Sequence, residues 1–180
     1  TCIVVNDMPG FYVNRILCPY LIEGLLMIEE GVRIEDIDGA LTSLGMPIGP
    51  ITLLDEVGID VGAHVMSGNM AQLLKGREGF KINYSMPKMF EAGLHGRKAK
   101  KGFYNYAMKK GRLRKTSPNQ DAYQHFGNPY PKKIDRKEIE ERTMLMLLNE
   151  AVWCLEDNIL QNPKDGDIGG VFGVGFLPWS

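Results

Sequence analysis

The sequence predicts an all-α fold, built as two helical units in tandem with the second one truncated. Three features carry that expectation. Apolar residues recur at three- and four-residue steps along most of the 180 residues, as on the buried face of a helix. Glycine and proline punctuate those runs where helices stop and start. A late segment also repeats the pattern of the first helix at a constant offset, the mark of an internal duplication. With 44% hydrophobic residues and a formal net charge of −1, the chain can bury one good core or two small ones. Near neutrality supplies no global attraction to nucleic acid or to an anionic membrane.

The opening "TCIVVND" lacks methionine and reads as the end of a β-branched strand; with the glycine-rich close "GVGFLPWS" it suggests a piece cut from a longer protein. From Leu17 the residues Leu17, Leu21, Gly24, Leu25 and Ile28 share one helical face, and Gly31 supplies a left-handed stop. The first helix therefore ends near Glu30, with Pro19 close enough to its start to be tolerated or to bend it slightly. Asn14, placed between Gly10 and this helix, is either a helix cap or a chemical group. A second helix carries Ile34, Ile37, Leu41 and Leu44 on one face and stops at Gly45. "GMPIGP", Gly45 to Pro50, is a stiff loop whose last proline opens the next helix. "ITLLDEVG" and "VGAHVMSGNMAQLLKG" are two further helices, the latter weakened by Gly62 and Gly68. "SMPKMFEAG" is a short one, and "GFYNY" is the later segment that reads as a strand.

Residues 1–107 form the first unit, and residues 108–134, rich in proline and charge, read as a linker or long surface loop. Helix returns at Asp135, where Asp135 and Glu138 suit a capping box and Leu145, Leu148, Val152 and Leu155 form the apolar face. Residues 135–180 are then a truncated second copy. Arg15 aligns with Arg142, Glu23 with Glu150 and Glu29 with Glu156, each pair 127 residues apart; after a four-residue insertion Asp36, Ile37 and Pro47 align with Asp167, Ile168 and Pro178. Twin units of this kind pack against each other as the subunits of a dimer would.

Several chemistries are excluded. Cys2, Cys18 and Cys154 are odd in number and lack CxxC spacing, which points to reduced thiols and a reducing compartment. No run approaches the roughly 20 apolar residues of a membrane span. His64, His95 and His125 lie on separate elements without metal-ligand spacing. "GVFGVG" has neither the strand before it nor the helix after it that a dinucleotide loop needs. The stretch His95 to Lys115 holds nine lysines and arginines and no acid. It reads as a solvated basic face, or as a contact for a phosphate-rich small ligand, with single-stranded nucleic acid a distant third.

"DMPGFYVNRILCPYLIEGLLMIEEG", Asp7 to Gly31, resembles the signature of the L-3-hydroxyacyl-CoA dehydrogenase family, with Asp7, Gly10, Phe11, Asn14, Arg15, Pro19 and Gly31 on its pattern. "GMPIGPITLLDEVGID" is a second marker. "GRKAKKGFYNY" is similar to the family's Gly-x-Lys-x-Gly-x-Gly-Phe-Tyr element, with Ala99 and Lys100 departing from its glycine pattern. The tandem unit is like the multifunctional members, the α-subunits of fatty-acid oxidation complexes, which carry two such units. The resemblance implies 6-phosphogluconate dehydrogenase C-terminal-like helical units and the NAD-dependent oxidation of 3-hydroxyacyl-CoA to 3-ketoacyl-CoA in β-oxidation. It also implies that NAD and the catalytic histidine belong to a Rossmann domain absent from this chain, and that a hydratase domain lies further upstream. The chain alone should be inactive. Its partners would be an acyl-CoA, those missing domains and a thiolase subunit, in the cytoplasm of a bacterium or in a mitochondrion.

By the same resemblance Asn14 is the motif asparagine beside the catalytic histidine and the reacting C3 oxygen. An amide suits that place because it donates and accepts without adding charge. Arg97 and Lys98 are the candidates for binding the CoA phosphates. Asp55 reads as a local cap or pair, and Arg15 and Glu23, which recur in a copy without an active site, read as packing residues. The contrasting expectation is a non-catalytic scaffold whose basic stretch docks a thiolase subunit or a membrane surface.

Overall fold

The computed structural model describes residues 2–77, 79–127 and 129–177. Helix α1 spans Val13–Glu29, α2 Ile34–Leu44, α3 Pro50–Val57, α4 Ile59–Ser67, α5 Asn69–Lys75 and α6 Ser85–Glu91. Strands β1 (Tyr104–Lys109) and β2 (Arg112–Pro118) follow, then α7 (Arg136–Glu156) and α8 (Pro163–Gly169). The helical expectation holds for most elements, with Gly45 at φ +123° ending α2 and Pro50 opening α3. Gly68 divides the fourth predicted helix into α4 and α5.

The fold is not purely helical. Part of the stretch read as a linker extends "GFYNY" into an antiparallel hairpin, in register from Lys109 opposite Arg112 back to Tyr106 opposite Lys115. The turn, Lys110 at φ +50° and Gly111 at φ +73°, has both central residues left-handed, which matches the twist of the flanking strands. Its charge hid it, because a half-exposed hairpin alternates only where one face is buried. The opening segment contributes a single bridge, Val5 to Leu160, rather than a strand.

The core wraps α1. Ile16, Tyr20, Leu25 and Ile28 meet Ile37 and Leu41 of α2, Ile51 of α3, Met86 and Met89 of α6, Phe103 and Leu147 in one buried cluster. A smaller cluster under α4 and α5 joins Cys18, Ile22, Met66, Met70 and Leu74. Both Cys18 and Cys154 are buried free thiols, and burial pushes them up to about 12 and about 11.

Helix α7 packs antiparallel on α1, and the ion pairs between them are exchanged. Arg15 Nε donates to Glu150 Oε1 at 2.7 Å and its Nη2 reaches Asp157. Arg142 Nε donates to Glu23 Oε1 at 2.7 Å and its Nη2 to Glu30 Oε1 at 2.6 Å. Arg15 and Arg142, Glu23 and Glu150, and Glu30 and Asp157 are each 127 residues apart, so each helix offers its partner the same three groups, as in a two-fold contact. Arg77 adds a second cation on one side, 2.8 Å from Asp157, and Lys132 on the other, 3.3 Å from Glu30.

Two expectations for α7 are corrected. Asp135 occupies the cap position, but its side chain makes no capping hydrogen bond. The buried face is Ile139, Thr143, Met144, Leu147, Glu150 and Cys154, whereas Leu145, Leu148 and Val152 are 62%, 44% and 56% exposed. The side that carries the buried ion pair is polar enough to lose to the leucine stripe in a periodicity count. Aligned Pro178 lies outside the described residues.

Candidate active-site cleft

The turn before α1 sets the position of Asn14. Met8 O accepts the Phe11 N–H at 2.9 Å around Pro9 and Gly10, and Gly10 sits at φ +80°, the left-handed second corner of a type II turn. Phe11 is itself left-handed at φ +50°. Tyr12 then takes the cap position of α1 without a side-chain cap bond, so Asn14 lies inside the first turn and is not the cap. Its amide is exposed and makes no hydrogen bond to another described residue. It stands on the rim of a cleft of about 380 Å³ that runs along α1 past Leu17, Leu21 and Leu25 to Leu54 and Met86, closed on its other side by α4 and α5. His64 and Asn69 are the other polar side chains of this lining. The sequence gives no signal for Asn69, and for His64 only the absence of metal-ligand spacing.

Lys98 and Arg97 sit on a 3₁₀ turn, Arg97–Ala99, and diverge. Lys98 Nζ lies 2.5 Å from Asp60 Oδ2 and packs over Gly58, a residue of the cleft wall. Arg97 turns away, 2.5 Å from Glu56 and 3.3 Å from the Leu113 carbonyl at the hairpin. The structure therefore brings Lys98 to the cleft edge and does not bring Arg97 there.

The two later sequence markers prove to be clasps that position this wall. Asp38 of α2 accepts from the Ile51 N–H at 2.9 Å, from the Thr52 N–H and hydroxyl, and from the Tyr104 hydroxyl at 2.7 Å. It thereby caps α3 from another helix. Asp55 accepts the Phe103 and Tyr104 N–H groups at 2.9 Å each and the Tyr106 hydroxyl at 3.0 Å. Burial pushes the Asp55 carboxyl up to about 6 against the pull of those three donors. A side chain at Gly102 would overlap the Asp55 carboxylate, which is why the loop needs glycine there. Lys100, where the glycine pattern fails, is left-handed at φ +61°, so the turn is kept at the cost of strain. Among the described residues no cluster of potential ligands suits a metal ion, and no helix is long and apolar enough to cross a membrane. The described residues also offer no cradle for a dinucleotide, since the sheet is a hairpin and Gly170–Val174 is a π-helical turn.

Fold and cleft together define a class, a mostly helical domain with a largely apolar cleft along its first helix. The model of the 3-hydroxyacyl-CoA dehydrogenase C-terminal domain matches residues 10–106, and the chain belongs to that family. Over 99% of its length it is 43% identical to the fatty acid oxidation complex subunit alpha of Vibrio parahaemolyticus. It is 44% identical to the subunit of the same name from a Shewanella species. The chain spans about a quarter of the length of these relatives. Among solved structures, the dehydrogenase part of multifunctional enzyme 1 from C. elegans superposes with a TM-score of 0.64 at 26% identity, over 88% of this chain and 35% of that one. The 3-hydroxybutyryl-CoA dehydrogenase of Escherichia coli K12 superposes with a TM-score of 0.71 at 19% identity, over 97% and 53%, a likeness of fold.

Proposed function

We propose that this chain is the substrate-side and interdomain portion of an NAD-dependent 3-hydroxyacyl-CoA dehydrogenase that works in fatty-acid β-oxidation. The observation that carries the reading is Asn14, an unengaged amide on the rim of an apolar cleft in a chain of this family. NAD and the catalytic histidine would come from a Rossmann domain outside the chain. Asn14 would orient the substrate oxygen and that histidine by hydrogen bonding, without the charge that would shift the histidine's proton affinity. Lys98, at the cleft edge, is the better placed of the two cations to meet CoA phosphate; Arg97 would first have to leave Glu56 and Leu113. Asn14→Ala, assayed in the enzyme reconstituted with its Rossmann domain, should lower turnover about 100-fold, within the range of positioned acid–base groups, at unchanged melting temperature. Unchanged turnover would remove Asn14 from the reaction.

Residues 135–180 would be a truncated second copy that takes the place of a dimer partner, with residues 108–134 between the units. The exchanged ion pairs support this, and so does the exposed stripe of α7. Leu145, Leu148 and Val152 stand 127 residues after Cys18, Leu21 and Leu25, which in the first unit face α4, α5 and the cleft. The cytoplasmic setting and the hydratase domain in the same protein are what the family resemblance implies, and both are part of this proposal. A scaffold role beside catalysis, with a thiolase subunit or a membrane surface as the docked partner, is favoured by the hairpin tip. Lys109, Lys110, Arg112 and Arg114 surround one surface depression and make no ion pair among the described residues. Substituting those four with serine should leave turnover intact and abolish such docking.

A further inference from the structure

The cleft is bracketed by two methionines, each with its tip lodged against a glycine. A methyl group on Gly10 would overlap Met70 Cε, beside Asn14, and one on Gly62 would overlap Met86 Cε, with Leu54 Cδ2 4.0 Å away. Helix α3 crosses α1 at Gly24, where a Cβ would lie 3.1 Å from Ile51 Cδ1, so Leu54 and Met86 close the end remote from Asn14. The α1 residues that line the floor run from Asn14 to Leu25, about 16 Å at the rise of an α-helix. Between those ends the walls are Leu17, Leu21, Val61 and Val65, which offer a linear aliphatic chain contact along its length and no hydrogen bond. Methionine is the side chain most able to move aside or fill a gap, and Met86 is fully buried, with its tip against Gly62 at the cleft lining.

We propose that Met86, seated on Gly62, is the end-stop that sets how long an acyl chain this cleft accepts. This rests on the reading of the cleft as the acyl-CoA side of the dehydrogenase. A thioester held near Asn14 sends its chain down α1, and each methylene gains contact until the terminal methyl meets Met86. Shortening Met86 lengthens the groove. Filling Gly62 drives the methionine tip inward and shortens it.

Calorimetric titration of the chain with saturated acyl-CoAs of increasing length tests this. Affinity should rise about fourfold per methylene up to a break and then stay level. Met86→Val should move the break to longer chains and Gly62→Ala to shorter ones. Gly62→Ala displaces only the end of a flexible side chain, so it keeps the test decisive if Met86→Val fails to fold. A break that both variants leave in place would overturn the role of Met86 while the acyl cleft stands. Affinity independent of chain length in the unaltered protein would overturn the acyl reading of the cleft, and the end-stop with it.

Discussion

Replacing Arg15 with methionine should be among the most costly single changes in this protein. The Arg15 side chain is fully buried and Glu150 is 4% exposed, at 2.7 Å. Methionine fills much of the volume but leaves the Glu150 carboxylate with Arg77 Nη2 at 3.3 Å as its remaining cation. Breaking a buried pair by removing one partner costs about 3–5 kcal/mol. In a domain of this size that is a fall in melting temperature of roughly 6–20 °C. The equivalent Arg142→Met removes a guanidinium that is 25% exposed, facing Glu23 at 12% and Glu30 at 37%. It should cost about 1–2 kcal/mol, between the exposed and buried limits. Urea unfolding followed by circular dichroism measures both. Adding Glu150→Gln to Arg15→Met should recover a good part of the loss, because the stranded charge is gone. Equal costs for the two arginines, or no recovery in the double variant, would refute the assignment of a buried and a half-buried site to the two sides of the α1–α7 contact.

The same contact predicts acid sensitivity. Hydrogen bonding from Arg142 lowers Glu30 from 4.5 to about 2, and Arg15 and Arg77 hold Asp157 below its usual value. A depressed carboxylate stabilises the fold fully above its unfolded value and loses that contribution as pH falls through the folded one. Stability should therefore decline between about pH 4.5 and 2, and Glu30→Gln should flatten that limb while weakening the protein at neutral pH. Asp55 has the opposite sign. With its folded value up at about 6, its contribution is complete below the unfolded value of 3.8 and is lost as pH rises through about 6. Carbon-detected NMR should find a carboxyl titrating near 6, and a midpoint below 4 would mean that its three donors outweigh burial. Lys100→Gly should stabilise the chain by about 0.5–1 kcal/mol, since relief of a left-handed lysine exceeds the entropy that glycine loses on folding; thermal melting that shows a loss instead would contradict the strained geometry.

Much of this structure was legible because local rules and tertiary packing agreed. Gly31, Gly45 and Pro50 delimit helices by backbone chemistry alone, and the Arg15/Arg142 and Glu23/Glu150 alignment anticipates the pairs that α1 and α7 exchange. The misses have equally local causes. Asn14 looks like a cap, yet the left-handed pair Gly10 and Phe11 starts the helix one turn earlier than the apolar periodicity from Leu17 suggests. The hairpin is hidden in the sequence by its charged tip, and its one local mark is the two-residue turn Lys110-Gly111. Asp38 and Asp55 could not be read as clasps from spacing, since their partners Tyr104 and Phe103 lie 66 and 48 residues away. Arg97 and Lys98 are neighbours in sequence, but a 3₁₀ turn sends them to different acids.

The central claim is that this chain supplies half of an active site and that the other half binds NAD. Oxidation of NADH with acetoacetyl-CoA, followed by the loss of the NADH absorbance, tests it most directly, first with the chain alone and then with a separately produced Rossmann portion of the same protein. The account predicts no activity from the chain alone and recovery on mixing. Turnover by the chain alone would show that it holds a cofactor site of its own, contrary to the account.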